Sequence, residues 1–374
     1  MKKICIISAD PNFWGGVSLY TWNVINSLKR LTDYELLWIY RGDKTRIYKK
    51  NQVTFVELGS SGQYPLNEIL FNFKVKKFLE KNHFDVINSH AIWGFWMAFY
   101  KRKNKQEIIH TYHGSTYHFF KSHFKRQDLF KKLESYLSMI LGFVMEKPPW
   151  KRADKIICVS EHVKRELTGL YGGRKNISII SASIDLKKFK LRNKNISKKK
   201  VNLNKNRWYG LYVGRGGFWT KGLDRVVKIS EEIYKKDENY RLLIVGADKD
   251  KVKYLINRKF AISLPPQSRD VLPYYYNSSD IFFNLSRYEG GNPTFSTGEA
   301  MASGCLVVCS KSSEQEIIEN GENGLILENF DEKDAKKIID LLKNKRKRER
   351  IIKNSTKTIK NFLLKNRGEN TLVH

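Results

Sequence analysis

Acidic residues are scarce in this 374-residue chain: 38 Asp and Glu stand against 69 Lys and Arg, giving a formal net charge of +31 with the eight histidines neutral. Cysteine is scarcer, at four. Cys5, Cys158, Cys305 and Cys309 sit in apolar, strand-like runs such as Ile156-Ile157-Cys158-Val159, and no His or Cys pair follows the last two, so they read as small buried hydrophobes and imply no metal site. Long apolar runs are missing as well. The longest charge-free apolar stretch, Val86 to Tyr100, is broken by Asn88, Ser89 and His90 and falls short of the roughly 18 to 20 residues a spanning helix needs. The opening residues Met1-Lys2-Lys3 run straight into Ile4-Cys5-Ile6-Ile7, which reads as a first strand rather than a signal peptide and predicts a cytoplasmic protein. No G-x-G-x-x-G follows that strand, which argues against a dinucleotide site, and His110, His113 and His118 do not fit H-E-x-x-H. Nor does a recognised RNA- or DNA-binding motif accompany the positive charge, so no nucleic-acid partner is expected.

What is present is enough for more than one core: 41% of residues are apolar and 13% aromatic. Short β-branched runs alternate with amphipathic segments throughout, the pattern of βαβ units, so the fold class is α/β. Strands are expected near 3–8, 34–40, 53–58, 85–88, 108–111, 155–159 and 177–180, and a helix over 17–29 with Leu19, Val24, Ile25 and Leu28 on one face. A second series offers strands near 208–214, 241–246, 280–285, 306–309 and 324–327, with helices over 223–234, 294–302 and 314–319. Between the series, residues 187–207 hold ten Lys or Arg and no acid, which reads as a solvated linker. The expected organisation is a doubly wound domain over 1–186, a basic linker over 187–207, a second doubly wound domain over 208–345, and a basic helical tail over 346–374 that crosses back toward the first domain. Ligands in such sheets lie beyond the carboxyl ends of the strands, which directs attention to the loops there.

Four of those loops carry chemistry. Gly15-Gly16 opens a helix after the first strand, where free amides and the helix dipole favour phosphate oxygens, although an ordinary βα turn has the same look. In Gly214-Arg215-Gly216-Gly217-Phe218-Trp219-Thr220-Lys221-Gly222, two cations six residues apart on a glycine-rich loop suit a pyrophosphate clamp. The run Glu289-Gly290-Gly291-Asn292-Pro293-Thr294 leads into a helix holding Glu299, so two carboxylates for sugar hydroxyls flank a turn with amides for an anion. Finally His113-Gly114 follows a strand of the first half, where the imidazole can reach a reacting sugar or serve as a structural group.

In order, the set resembles a retaining glycosyltransferase of the GT-B fold, close to glycosyltransferase family 4. The resemblance rests on Gly15-Gly16-Val17, His113-Gly114, Ala153-Asp154-Lys155-Ile156-Ile157-Cys158-Val159-Ser160, Gly214-Arg215 with Lys221-Gly222, Glu289 with Glu299-Ala300-Met301-Ala302, and Asn320-Gly321-Glu322-Asn323-Gly324-Leu325. It implies two Rossmann-like domains facing a central cleft and a hexose moved from a UDP or GDP sugar to a growing surface glycan or lipid-linked saccharide, with neither metal nor other cofactor. Arg215 and Lys221 would neutralise the diphosphate, helped by amides near Gly16 and in the loop Gly291, Asn292, Pro293 and Thr294. Glu299 would accept from the ribose, Glu289 would lie against the donor sugar, and His113 would touch that sugar's hydroxyls. Glu289 and Glu299 enclose nine residues, about two more than the family pattern, and Ala182-Ser183-Ile184-Asp185 replaces the usual Asn-Gly-Val-Asp. A sugar phosphorylase or epimerase on the same fold, or a degenerate protein that binds polyanions or membranes, are the competing expectations.

The stretch from Phe119 to Arg152 adds eight Lys or Arg against three acids among large apolar residues. It reads either as a surface that rests on the inner face of an anionic membrane or as a helical excursion packed on its own domain.

Overall fold

The computed structural model describes residues 2–12, 15–30, 34–62, 64–124, 129–214, 219–247, 258–313 and 315–370. Two compact units divide the chain, Met1–Ser181 and Ala182–His374.

The first unit contains β1 (Lys2–Ile7), α1 (Gly16–Leu28), β2 (Tyr34–Gly42), β3 (Arg46–Lys50), β4 (Val53–Gly59), α2 (Leu66–Lys81) and β5 (Val86–His90). A 3-10 segment, Ala91–Ala98, leads to β6 (Glu107–Tyr112), α3 (Thr116–His123), α4 (Leu129–Arg152), β7 (Lys155–Cys158), α5 (Glu161–Tyr171) and β8 (Ile177–Ile179). The eight strands form one sheet in the order β3-β4-β2-β1-β5-β6-β7-β8. Only the β3–β4 pair is antiparallel, and Ile4 of β1 pairs with Leu36 on one side and Val86 on the other. A parallel sheet covered on both faces needs continuously apolar strands, and Ile4-Cys5-Ile6-Ile7 is buried throughout. Trp38 packs edge-on to Trp22 of α1, with ring centroids 5.2 Å apart.

The second unit contains α6 (Lys194–Lys200), β9 (Trp208–Val213), α7 (Leu223–Lys236), β10 (Tyr240–Val245), β11 (Ala261–Leu264), β12 (Ile281–Asn284), β13 (Leu306–Ser310) and β14 (Leu325–Leu327). Further helices span Leu272–Ser278, Phe295–Ser303, Glu332–Lys343 and Lys345–Asn370. Its six strands are all parallel, in the order β11-β10-β9-β12-β13-β14. One core joins Val226, Ile229 and Ile233 of α7 to Ile338 and Ile351, and a second, on other residues of the same strands, joins Met301 to Tyr276 and Ile359. In each sheet the first strand of the unit lies centrally and the order reverses beside it, at β1/β5 and at β9/β12. Those reversals are where open α/β sheets leave a crevice.

The structure departs from the sequence reading in five places. Residues 187–207 are not a solvated linker but part of the second unit. Lys198 is buried, its ammonium donating to the carbonyls of Arg207 (2.7 Å) and Lys205 (3.2 Å), and Lys194 pairs with Asp280 at 2.6 Å. The basic run is thus held by backbone acceptors and an acid brought in from elsewhere. The C-terminal helix also belongs to the second unit: Ile359 lies in its core and Thr356 donates to the Met301 carbonyl. The helix expected over 314–319 is absent from 315–319, because side chains replace helical partners there: Asn292 Oδ1 accepts from the Ile317 amide and Asn323 Oδ1 from that of Glu319. Strands β3 and β11 were not expected. On α1 the inward face carries Ser18, Tyr20, Thr21 and Ile25, since the Ser18 hydroxyl donates to the Asp10 carbonyl and Thr21 bonds Ser8.

All four cysteines are free and buried, and burial pushes the thiols of Cys158, Cys305 and Cys309 up to about 12 and that of Cys5 higher. A charged disulfide reagent should therefore titrate no thiol in the native protein at neutral pH and all four after denaturation. Rapid native reaction of even one would contradict the packing.

Candidate active site

In the second unit, the site is assembled where the loops after β9 and β12 meet. Gly222 caps the start of α7 with φ +67°, and a Cβ there would lie 2.0 Å from the Leu285 carbonyl oxygen. Only glycine permits both the left-handed backbone and this approach. The contact is then locked by arginines. Arg225 donates to the carbonyls of Leu285 (3.1 Å) and Ser286 (3.3 Å), while Arg287 forms a two-pronged pair with Asp224 at 2.7 and 2.6 Å.

This bracing delivers Lys221 to Glu289. The ammonium lies 2.7 Å from Glu289 Oε2, and the Ser286 hydroxyl donates to Glu289 Oε1 at 2.7 Å. Lys221 remains 39% exposed while Glu289 is 11% exposed, so the cation presents its outer face to solvent with an anchored counter-ion behind it. Arg215, the other expected cation, lies outside the described residues, as do Gly216 and Gly217.

The turn that follows is pinned from the loop after β13. Gln315 donates to the Gly291 carbonyl at 2.9 Å and accepts from the Thr294 amide at 3.0 Å, and Asn292 donates to Glu316. The Thr294 amide is therefore occupied, and Pro293 has none, so of the four residues expected to supply amides Gly291 and Asn292 are the two that still can. Thr294 instead caps the helix Phe295–Ser303, its hydroxyl accepting from the Thr297 amide.

Glu299 is deeply buried on that helix. Oε1 accepts from Arg269 at 2.6 Å and Oε2 from the Tyr276 hydroxyl at 3.1 Å. Burial raises its pKa, and the Arg269 guanidinium works against that rise. Sequence reasoning missed Arg269 and Tyr276. Neither falls in a glycine-bearing loop, and nothing in the local pattern ties them to a carboxylate so far along the chain.

The first unit has its own cluster at the β1/β5 reversal. Gly15 caps α1, and a Cβ on Gly16 would meet no atom of the described residues within 4 Å. Tyr20, one turn on, packs edge-on against His113 with ring centroids 4.9 Å apart. His113 Nε2 lies 2.9 Å from Nδ1 of His90, the last residue of β5. Burial pushes His113 down to about 3 and holds His90 well below its ordinary value, so both rings are neutral and one proton lies between them. His90 Nε2 is buried with no partner among the described residues. An orphaned N–H is rarer in proteins than an orphaned acceptor, which places the shared proton on His90 Nδ1 and the remaining one on His113 Nδ1. His113 is thereby set as a donor through Nδ1. His90 was also missed, although its place at the end of a central strand is the signal that identifies it. His110 is structural: its Nδ1 bonds Ser89 at 2.8 Å, and its ring fills the space beside Gly94.

Among the described residues, no three His, Cys, Asp or Glu side chains converge as a metal ion would require, and no helix is long and apolar enough to cross a membrane.

Residues 14–188 match the model of glycosyltransferase family 4, and residues 193–358 match that of glycosyl transferases group 1. The two follow one another along nearly the whole chain, which belongs to these glycosyltransferases. It is 27% identical over 331 residues to an uncharacterised glycosyltransferase of Methanocaldococcus jannaschii, a match covering 81% of this chain and 79% of that protein. Sucrose-phosphate synthase from Thermosynechococcus elongatus superposes with a TM-score of 0.81 at 17% identity, covering 100% of this chain and 98% of that one. Anabaena HepE in complex with UDP and glucose gives a TM-score of 0.72 at 14% identity over 100% of both chains. The fold is GT-B, with two Rossmann-like domains.

The His113 loop is anchored by Glu146 of α4, whose carboxylate accepts from the Thr116 amide (3.0 Å), the Thr116 hydroxyl and the Tyr171 hydroxyl. Burial lifts this carboxyl from 4.5 to about 7, the hydrogen bonds opposing. The folded state thus holds the proton more tightly, and the stability this group contributes is lost as pH rises from 4.5 to 7. Glu146→Gln should match the wild type near pH 4.5 and exceed it by up to about 3 kcal/mol at pH 8 in denaturant titrations. The buried histidines lose stability in the opposite direction, as pH falls below 6.5, but equally in both proteins. A stability difference that stays flat with pH would refute the assignment.

Proposed function

We propose that this glycosyltransferase moves a hexose from a UDP or GDP sugar to a growing surface glycan or lipid-linked saccharide, with retention of the anomeric configuration and without a metal ion. The observation that carries this reading is the Lys221–Glu289 pair at 2.7 Å, held where the strand order of the second unit reverses. The binding of UDP and glucose by Anabaena HepE supports the choice of donor.

In this reading Lys221 and Arg215 neutralise the diphosphate, assisted by the amides of Gly291 and Asn292; in the first unit the start of α1 at Gly16 offers amides to a phosphate. The charge that grows on the leaving phosphate meets fixed cations rather than a divalent ion. Glu299 accepts from the ribose hydroxyls. Arg269 and Tyr276 occupy one site on each of its oxygens, and a carboxylate has about four lone-pair sites, so capacity remains. Glu289 lies against the donor sugar; in the first unit the neutral His113 offers an Nδ1 donor for a sugar hydroxyl. The acceptor hydroxyl attacks the anomeric carbon on the face from which the diphosphate departs, and its proton passes to the leaving phosphate oxygen.

The test is calorimetric titration with UDP, GDP and ADP and their common sugar conjugates, in a chelator and at two salt concentrations. One nucleotide should bind well above the others and survive moderate salt. Equal, salt-labile binding of all three would favour a degenerate polyanion-binding protein. Lys221→Ala should weaken donor binding by roughly 1.5 to 3 kcal/mol, the worth of a charge-assisted bond, and an unchanged Kd would remove Lys221 from the clamp. Glu299→Ala should weaken nucleotide and nucleotide sugar alike, whereas Glu289→Ala should chiefly slow transfer; the opposite pattern would exchange the two roles.

A further inference from the structure

Helix α4 is built inside out. Its inward face carries Ser135, Ser138, Gly142, Met145, Glu146 and Pro149, all buried. Its outward face carries Leu129, Leu133, Tyr136, Leu137, Ile140 and Val144, which with Phe130 are between 46% and 86% exposed. These recur at steps of three and four residues, so they form one continuous stripe about 22 Å long. A helix of a globular protein normally turns such a stripe inward. Here the inward face is narrowed at Gly142, where α3 approaches closely: a Cβ there would lie 2.4 Å from Thr116 Cγ2.

The stripe has a neighbour. Helix α2 exposes Leu66, Leu70 and Phe73, and α2 and α4 both pack on the segment Ala91–Ala98. Tyr64, just before α2, approaches the Phe120 ring of α3, with ring centroids 6.5 Å apart. An exposed apolar surface of this extent marks an interaction site.

Charge selects the occupant. Helix α4 carries five Lys or Arg against Glu134 and the buried Glu146, in a chain of net charge +31, so two copies meeting along this helix would bring like charges together. An anionic lipid surface satisfies both features: acyl chains take the stripe and headgroup phosphates take the lysines. We propose that the outward face of α4, continued by α2, rests on an anionic bilayer. The proposal stands on these helices alone and does not depend on the donor site.

The full chain should be co-sedimented with vesicles of phosphatidylcholine, with and without phosphatidylglycerol. The wild type should bind the anionic vesicles much more strongly. The double variant Leu133→Glu, Leu137→Glu should lower the partition coefficient by about tenfold or more, from lost apolar contact and added negative charge. Leu364→Glu, an equally exposed leucine on the C-terminal helix, should change nothing. Both variants alter exposed side chains, and unchanged circular dichroism and nucleotide titration would show that fold and donor site are intact. Binding by the double variant equal to the wild type's, no binding by the wild type, or equal binding to both vesicle types would each overturn the proposal. So would a wild-type dimer that the double variant dissolves, which would assign the face to a second copy.

Discussion

The site of the second unit depends on a single close approach, that of the Leu285 carbonyl to the α-carbon of Gly222. There is no room for a side chain between them, so the loop after β9 and the loop after β12 are held at backbone contact. Lys221 stands one residue before that contact, and Glu289 four residues after it. Their 2.7 Å separation follows from the approach together with the arginines that fix it. Arg287 contributes a buried guanidinium fully engaged by Asp224, and Arg225 spans two carbonyls. In a chain with so many cations, these two are structural and Lys221 is half exposed. The division follows from which cations meet an acid or carbonyl on every side.

The two glutamates of the second unit are in different environments. Glu289 lies on a loop, bonded by the Ser286 hydroxyl and a partly exposed ammonium. Glu299 is on a helix in the core, where desolvation opposes its charge and Arg269 opposes the desolvation. Arg269 is itself positioned over the Phe189 ring at 4.9 Å. Burial still raises the Glu299 carboxyl on balance, and the guanidinium limits that rise. Between the two glutamates, the turn at Gly291, Asn292 and Thr294 is bonded by Gln315 and Glu316, which ties it to the loop after β13.

Sequence periodicity revealed the α/β class and most of the strands, because parallel strands buried on both faces are short continuous apolar runs and nothing else in this chain resembles them. It failed where tertiary partners decide. The run 187–207 looks solvated by composition, yet Lys198 is buried because carbonyls of 205 and 207 surround its ammonium. Edge strand β3, with Arg46, Lys49 and Lys50, lacks the apolar signal since only its pairing with β4 makes it a strand. Among site residues, those beside glycines were legible, as glycine marks loops of unusual backbone. His90, Arg269 and Tyr276 were not, because each acts through a residue distant in sequence.

Helix α4 shows how far composition alone can mislead. Its apolar residues lie at helical spacing, and the ordinary inference would place them in a core. What turns them outward is the demand of the opposite face. Glu146 must reach Thr116 and Tyr171, its carbonyl must accept from Tyr112 at 2.6 Å, and Gly142 must admit Thr116. These contacts fix the rotation of α4 about its own axis, since turning the helix would strip Glu146 of its donors and bring a side chain to the place where only Gly142 fits against Thr116. The same contacts hold Tyr112 and Thr116, the residues that bracket His113. The rotation that aims His113's loop is therefore the rotation that leaves the leucines outside.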